Sequence, residues 1–107
     1  MKVYGFKETG HGIIEIGDDT EVLHEFVGGR LEAYCIGNGL YVILNEEGRL
    51  EELSPRVVHY EWGNIMQVIV GDCFVCRFDD NGMFSSVRED DVKYINKRLI
   101  PVMEYMD

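Results

Sequence analysis

The sequence predicts an α+β fold, an antiparallel or mixed sheet with two short helices in a single small domain. Three observations predict it. Two β-prone runs, Leu31 to Ile36 and Leu40 to Leu44, flank Gly37-Asn38-Gly39, whose residues tolerate the positive φ of a tight hairpin turn. Apolar residues recur at helical spacing in two places far apart in the chain, around residues 22–27 and 92–99. No linker, internal repeat or low-complexity stretch interrupts the 107 residues, a length that suits one core. Hairpin-joined strands with two separated helices predict helices gathered on one face of the sheet.

Each element has a local reason. Residues 1–7 alternate apolar and polar around Val3, Tyr4 and Phe6, as a first strand does, and Gly10-His11-Gly12 is expected to break it before Ile13-Ile14-Glu15-Ile16. Asp18-Asp19 supply a helix N-cap, Glu21 suits the positive end of the helix dipole, and Val22, Leu23, Phe26 and Val27 form the core stripe. Gly28-Gly29 ends that helix, because glycine takes the left-handed C-terminal conformation without steric cost. After the central hairpin, Asn45-Glu46-Glu47-Gly48 makes a second turn and Ser54-Pro55 a further break. Residues 57–62 read equally as a strand edge or an irregular loop. Ile65 to Val70 and Cys73 to Phe78 are strongly β-prone, with a bend or bulge at Gly71-Asp72, and Asp79 to Gly82 is a turn. Ser86 and Glu89 have capping-box spacing ahead of a helix whose apolar face is Val92, Ile95 and Leu99 and which Pro101 should stop. The tail, residues 101–107, carries enough apolar residues to dock on the sheet or on another subunit.

Charge restricts the partners. Twenty acids against ten bases give a net charge of -10. Such a field repels polyanions, so direct nucleic-acid and membrane binding are disfavoured. Its ordinary role is solubility, and its sharper one would be to imitate DNA towards a nucleic-acid-binding enzyme. The first residues lack the apolar core of a signal peptide, no run approaches membrane-spanning length, and three cysteines is an odd number. Reduced thiols in a cytoplasm are therefore expected.

Motifs for catalysis are weak. Cys73-Phe74-Val75-Cys76 has C-x-x-C spacing, but in an extended run residues three apart point to opposite faces, which favours buried free thiols over zinc. Asp79-Asp80-Asn81-Gly82 fails the calcium-loop register, since Arg77 falls at the first ligand position. His11, His24 and His59 are scattered, with His24 expected on the solvent side of its helix, and no nucleophile, base and orienting group can be assembled from the sequence. No cofactor or metal is implied. Tyr34, Tyr41, Tyr60 and Trp62 with Arg56 are of the types that anchor interfaces or stack on planar ligands, although they also suit the core and rim of a small sheet protein. The stretch His59 to Asn64 reads as a polar-aromatic loop, where functional residues concentrate.

Four segments, in order and spacing, resemble a known family: Val27-Gly28-Gly29-Arg30-Leu31-Glu32, Leu40 to Gly48, Leu53-Ser54-Pro55-Arg56, and Val70 to Val75. The family is the uncharacterised domain of unknown function 3846, found in phages, integrative elements and gut bacteria. Its most specific element here is the Asn-Glu-Glu-Gly turn at residues 45–48. Where the family tends to carry Asn after the proline of the middle segment, this chain has Arg56. The resemblance implies a mobile-element accessory protein and hence a counter-defence role in the host cytoplasm. The expected function is non-enzymatic: a homo-oligomer that sequesters a small nucleotide-like ligand, with Arg56, Tyr60, Trp62, Asn45 and Glu46 as ligand-binding residues. The alternatives are an acidic DNA mimic or protein inhibitor of a host nuclease or defence protein, and a regulatory module with a protein partner.

Overall fold

In a computed structural model, described over residues 1–105, the chain forms two antiparallel sheets and three helices. The larger sheet contains β1 (Lys2–Lys7), β2 (Gly10–Glu15), β3 (Leu31–Gly37), β4 (Leu40–Asn45), β7 (Cys73–Phe78) and the two-residue β8 (Phe84–Ser85). Its order is β2-β1-β7-β4-β3, with β8 paired to β7. The smaller sheet has β5 (Pro55–Glu61) between β6 (Asn64–Val70) and β9 (Leu99–Pro101). The helices are α1 (Thr20–Val27), α2 (Asp91–Arg98) and the single turn α3 (Val102–Tyr105). The α+β class read from the sequence is the class observed.

The helices do not share a face. The larger sheet is the middle layer and buries both sides. On one side Val3, Ile43, Phe74 and Cys76 pack with Leu23 and Val27 of α1. On the other, Tyr4, Phe6, Val42, Cys73 and Val75 pack with Val57 and Ile69 of the smaller sheet and with Ile95 and Leu99. Successive strand residues point to opposite faces, so β1 and β7, apolar almost throughout, must be covered twice.

Local rules fixed α1. Asp19 Oδ1 accepts from the Glu21 N–H, and Gly28 caps the end at φ 81°. His24 is half-buried, and its Nδ1 lies 2.8 Å from the Gly29 carbonyl, so it is not the exposed residue expected. The β3–β4 hairpin turns on Asn38 and Gly39, both at positive φ. Gly10-His11-Gly12 does not interrupt the chain; those residues lie inside β2, paired with β1.

Tertiary contacts overrode several other local signals. The Ser86–Glu89 capping box does not form. Ser86 Oγ accepts instead from the Lys2 N–H, and α2 begins at Asp91, whose carboxylate accepts from the Arg88 N–H. The α2 helix ends at Arg98 rather than at Pro101, because Leu99–Pro101 leaves to pair with Val57–His59 of β5. That pairing and the contact of α3 with β5 dock the tail on its own sheet, while Met106 and Asp107 lie outside the described residues. Residues 57–62 are a strand and turn, and Gly71-Asp72 is a passage between sheets rather than a bend within one.

Candidate functional site

The stretch read as a polar-aromatic loop is a β-hairpin. Glu61 pairs with Asn64, leaving a two-residue turn with Trp62 at φ 54° and Gly63 at φ 77°. Both central residues of such a turn need positive φ, which glycine adopts freely and a bulky side chain only with strain. Asn64 Nδ2 donates to the Trp62 carbonyl at 3.1 Å and holds the turn. The indole is 92% exposed. A strained aromatic left in water stands out in a protein of this size.

Trp62 borders a groove of about 250 Å³ with Tyr60, Glu61, Lys97 and Arg98. The two cations come from the last turn of α2, where the helix dipole favours positive charge. Arg98 Nε donates to Glu61 Oε1 at 2.8 Å, and its guanidinium stacks 3.7 Å from the Tyr94 ring centroid. Tyr94 in turn donates its hydroxyl to the Ile36 carbonyl at 2.7 Å. Arg98 is thereby tied to both the small and the large sheet. The groove offers two aromatic rings, two cations and one carboxylate.

Behind Glu61 lies His59, 4% exposed, with its Nδ1 against the Tyr34 hydroxyl. Its Nε2 stands 3.5 Å from Glu61 Oε2 and has no hydrogen-bond partner among the described residues. Burial pushes the imidazole below its ordinary value, opposed by Glu61 and assisted by Arg98. Burial likewise raises the Tyr34 phenol, with Glu61 and Cys35 adding to it. A protonated Tyr34 hydroxyl donating to Nδ1 places the ring proton on Nε2, facing the carboxylate; the other tautomer would set a lone pair against it. The sequence places His59 in the polar-aromatic stretch but does not reveal its partner, because Tyr34, 25 positions earlier, meets it only through the packing of the two sheets.

The five expected ligand-binding residues fall in three places. Tyr60 and Trp62 share the groove. Arg56 is at the far end of β5, where its Nε donates to Asp72 Oδ1 at 3.0 Å. It borders two larger clefts, one of about 470 Å³ with Lys7 and His11 and one of about 550 Å³ with Glu8, Glu25, Glu51, Glu52 and Asp72. Asn45 is 2% exposed; it accepts from the Glu47 N–H at 2.8 Å and donates to Glu51 Oε1 at 2.7 Å. Glu46 is exposed, and its N–H donates to the Arg30 carbonyl at 2.8 Å. Lys97 and Arg98 complete the groove from the C-terminal end of α2, and sequence position alone does not connect them with Tyr60 and Trp62.

Cys73 and Cys76 are buried in opposite clusters, as extended backbone dictates. Burial pushes the Cys76 thiol up to about 12 and raises Cys73 too, with Asp72 adding and Arg56 opposing. Cys35 is exposed. Among the described residues, no three His, Cys, Asp or Glu side chains are grouped to hold a metal ion, and no helix is long and apolar enough to cross a membrane.

These features define a two-sheet α+β protein with an open, aromatic and cationic groove at a hairpin tip. The chain belongs to the family described as Domain of unknown function (DUF3846), whose model matches residues 1–100. No curated protein and no solved structure matches it.

Proposed function

We propose that this protein is a non-enzymatic binding protein that holds a small nucleotide-type ligand in the groove of Tyr60, Trp62, Lys97 and Arg98. One observation carries the reading: Trp62 is exposed at positive φ on a two-residue turn beside two cations. Left to stability alone, that position favours Asn or Gly, and an exposed indole leaves roughly 200 Å² of aromatic surface uncovered. A planar base stacked on the indole would cover it. The guanidinium and ammonium groups next to it suit phosphate, which gives a local exception to the acidity of the whole chain.

A groove of about 250 Å³ formed by five residues of one subunit is too small and open to enclose a nucleotide, whose sites typically run to roughly 300–1,000 Å³. A second subunit would supply the missing wall. Ile65 and Met66 extend from the same hairpin with exposed apolar side chains, and β6 is an edge of the smaller sheet. We therefore propose a homo-oligomer with the ligand between subunits. The biological setting we propose, sequestration of a host immune signal by a mobile-element accessory protein, rests on family likeness and not on geometry.

Trp62 is the sole tryptophan, so it reports directly on its own site. Native mass spectrometry of freshly purified protein should show a nucleotide at an oligomer mass. Titration with cyclic mono- and dinucleotides and ADP-ribose should quench the indole saturably. Trp62→Ala should then weaken binding, measured by calorimetry, by roughly 5- to 150-fold, the worth of one stacked base. A ligand-free monomer whose fluorescence ignores the whole panel would overturn the proposal.

A further inference from the structure

Among the described residues, His59 Nε2 is the buried side-chain nitrogen without a hydrogen-bond partner. A buried polar atom left in this way is costly, and here it lies directly behind the groove. The charged and titratable groups facing the ring are Tyr34 from β3, Glu61 from its own strand and Arg98 from α2. Its ladder neighbours, Gln67 on β6 and Leu99 on β9, carry no charge. Glu104 of α3 is engaged 3.6 Å from His11 Nε2.

The Glu61 carboxylate is shared unequally. Oε1 accepts from Arg98 at 2.8 Å, while Oε2 stands 3.5 Å from His59 Nε2. We propose that His59 is a positioning residue that couples proton uptake to anion binding in the groove, by competing with Arg98 for Glu61. This inference rests on the proposed ligand groove. With His59 neutral, the carboxylate is committed to Arg98 and holds that guanidinium back from a ligand. When a proton from solvent joins Nδ1, Tyr34 becomes the acceptor of the Nδ1–H, and the imidazolium draws Oε2 towards Nε2. Arg98 is then less firmly held and meets a ligand phosphate more readily, while the groove gains one positive charge. The phosphate in turn stabilises the buried imidazolium, so the bound state retains the proton.

The test has two arms. In the first, affinity for ADP-ribose and for cyclic mono- and dinucleotides is measured between about pH 7.5 and about pH 5.5, with calorimetry in buffers of different ionisation enthalpy. One coupled proton makes binding tighter by at most about tenfold per unit fall in pH. Calorimetry should find net proton uptake, and His59→Gln should flatten the profile. Binding with no proton uptake overturns the inference. The second arm needs no ligand: NMR of the wild-type protein follows the His59 ring and the Arg98 Nε–H during acidification. Their movement in a single step supports the coupling. An Arg98 signal indifferent to His59, or a His59 that stays neutral until the protein unfolds, overturns it. No nucleotide binding at any pH would sink the proposed function and leave the coupling to be decided by the second arm.

Discussion

Gly29 and Asn45 are packed so closely that a Cβ on the glycine would stand 2.9 Å from Asn45 Nδ2 and 3.0 Å from Oδ1. The end of α1 and the Asn45–Gly48 turn are thus one unit. The same region closes on itself twice more, where a Cβ on Gly48 would meet Val70 at 2.9 Å and one on Gly71 would meet Leu53 at 2.7 Å. Close glycine contacts therefore join the segments 27–32, 40–48, 53–56 and 70–75.

A first prediction follows from that pair. Asn45 is fixed by Glu47 and Glu51, so the amide has little room to move away from a new methyl group. Gly29→Ala should cost about 1–3 kcal/mol by overpacking. Asn45→Ala should cost a similar amount, because the Glu47 N–H loses its acceptor. Urea denaturation should find the double variant less destabilised than the sum of the two by at least about 0.5 kcal/mol. Strict additivity would show that the contact carries no strain.

Asp91 supplies a second. It is 3% exposed, and its two oxygens accept from Arg77 Nε at 2.8 Å and Arg77 Nη2 at 2.6 Å. The Arg77 hydrogen bonds hold its carboxyl below the ordinary 3.8, against burial, with the Arg88 N–H helping. A depressed carboxylate contributes stability that is fully present above its unfolded value and is lost as pH falls through the folded one. Denaturation midpoints followed from about pH 6 to about pH 2 should fall most steeply below that ordinary value. Arg77→Met strands a buried carboxylate and should cost about 3–5 kcal/mol at neutral pH. A loss under about 1 kcal/mol would mean that Asp91 is solvated after all.

The third prediction separates stability from binding at Trp62. Asn accepts positive φ with far less strain than Trp, so Trp62→Asn should stabilise the protein by about 0.5–1 kcal/mol, a rise of a few degrees in Tm. Nucleotide affinity, read by calorimetry because the indole is gone, should fall at the same time. A variant that loses stability would show that the indole is a packing residue and not a ligand platform.

The sequence was most legible where a structure is set by neighbours in the chain. Asp19 before α1, Gly28 after it and Asn38-Gly39 in the central hairpin each satisfy or relieve the backbone within a few residues. The Trp62-Gly63 turn has the same geometry but was hidden, because tryptophan is not a residue that signals positive φ. The Ser86 capping box misled for the opposite reason. Its local chemistry was sound, but the Lys2 N–H, 84 positions away, took the hydroxyl.

By itself, then, the sequence determined the α+β class, the first helix with both its caps, the central hairpin, the opposed burial of Cys73 and Cys76, and the net charge of -10. Only the tertiary structure decided that the helices lie on opposite sides of the larger sheet and that Leu99–Pro101 is a strand. It alone brought Lys97 and Arg98 beside Tyr60 and Trp62, with His59 behind them. The difference is one of range. Caps, turns and strand alternation depend on dihedral preferences within a few residues, whereas the groove depends on which sheet faces which, and that is settled by burying β1 and β7 on both sides at once.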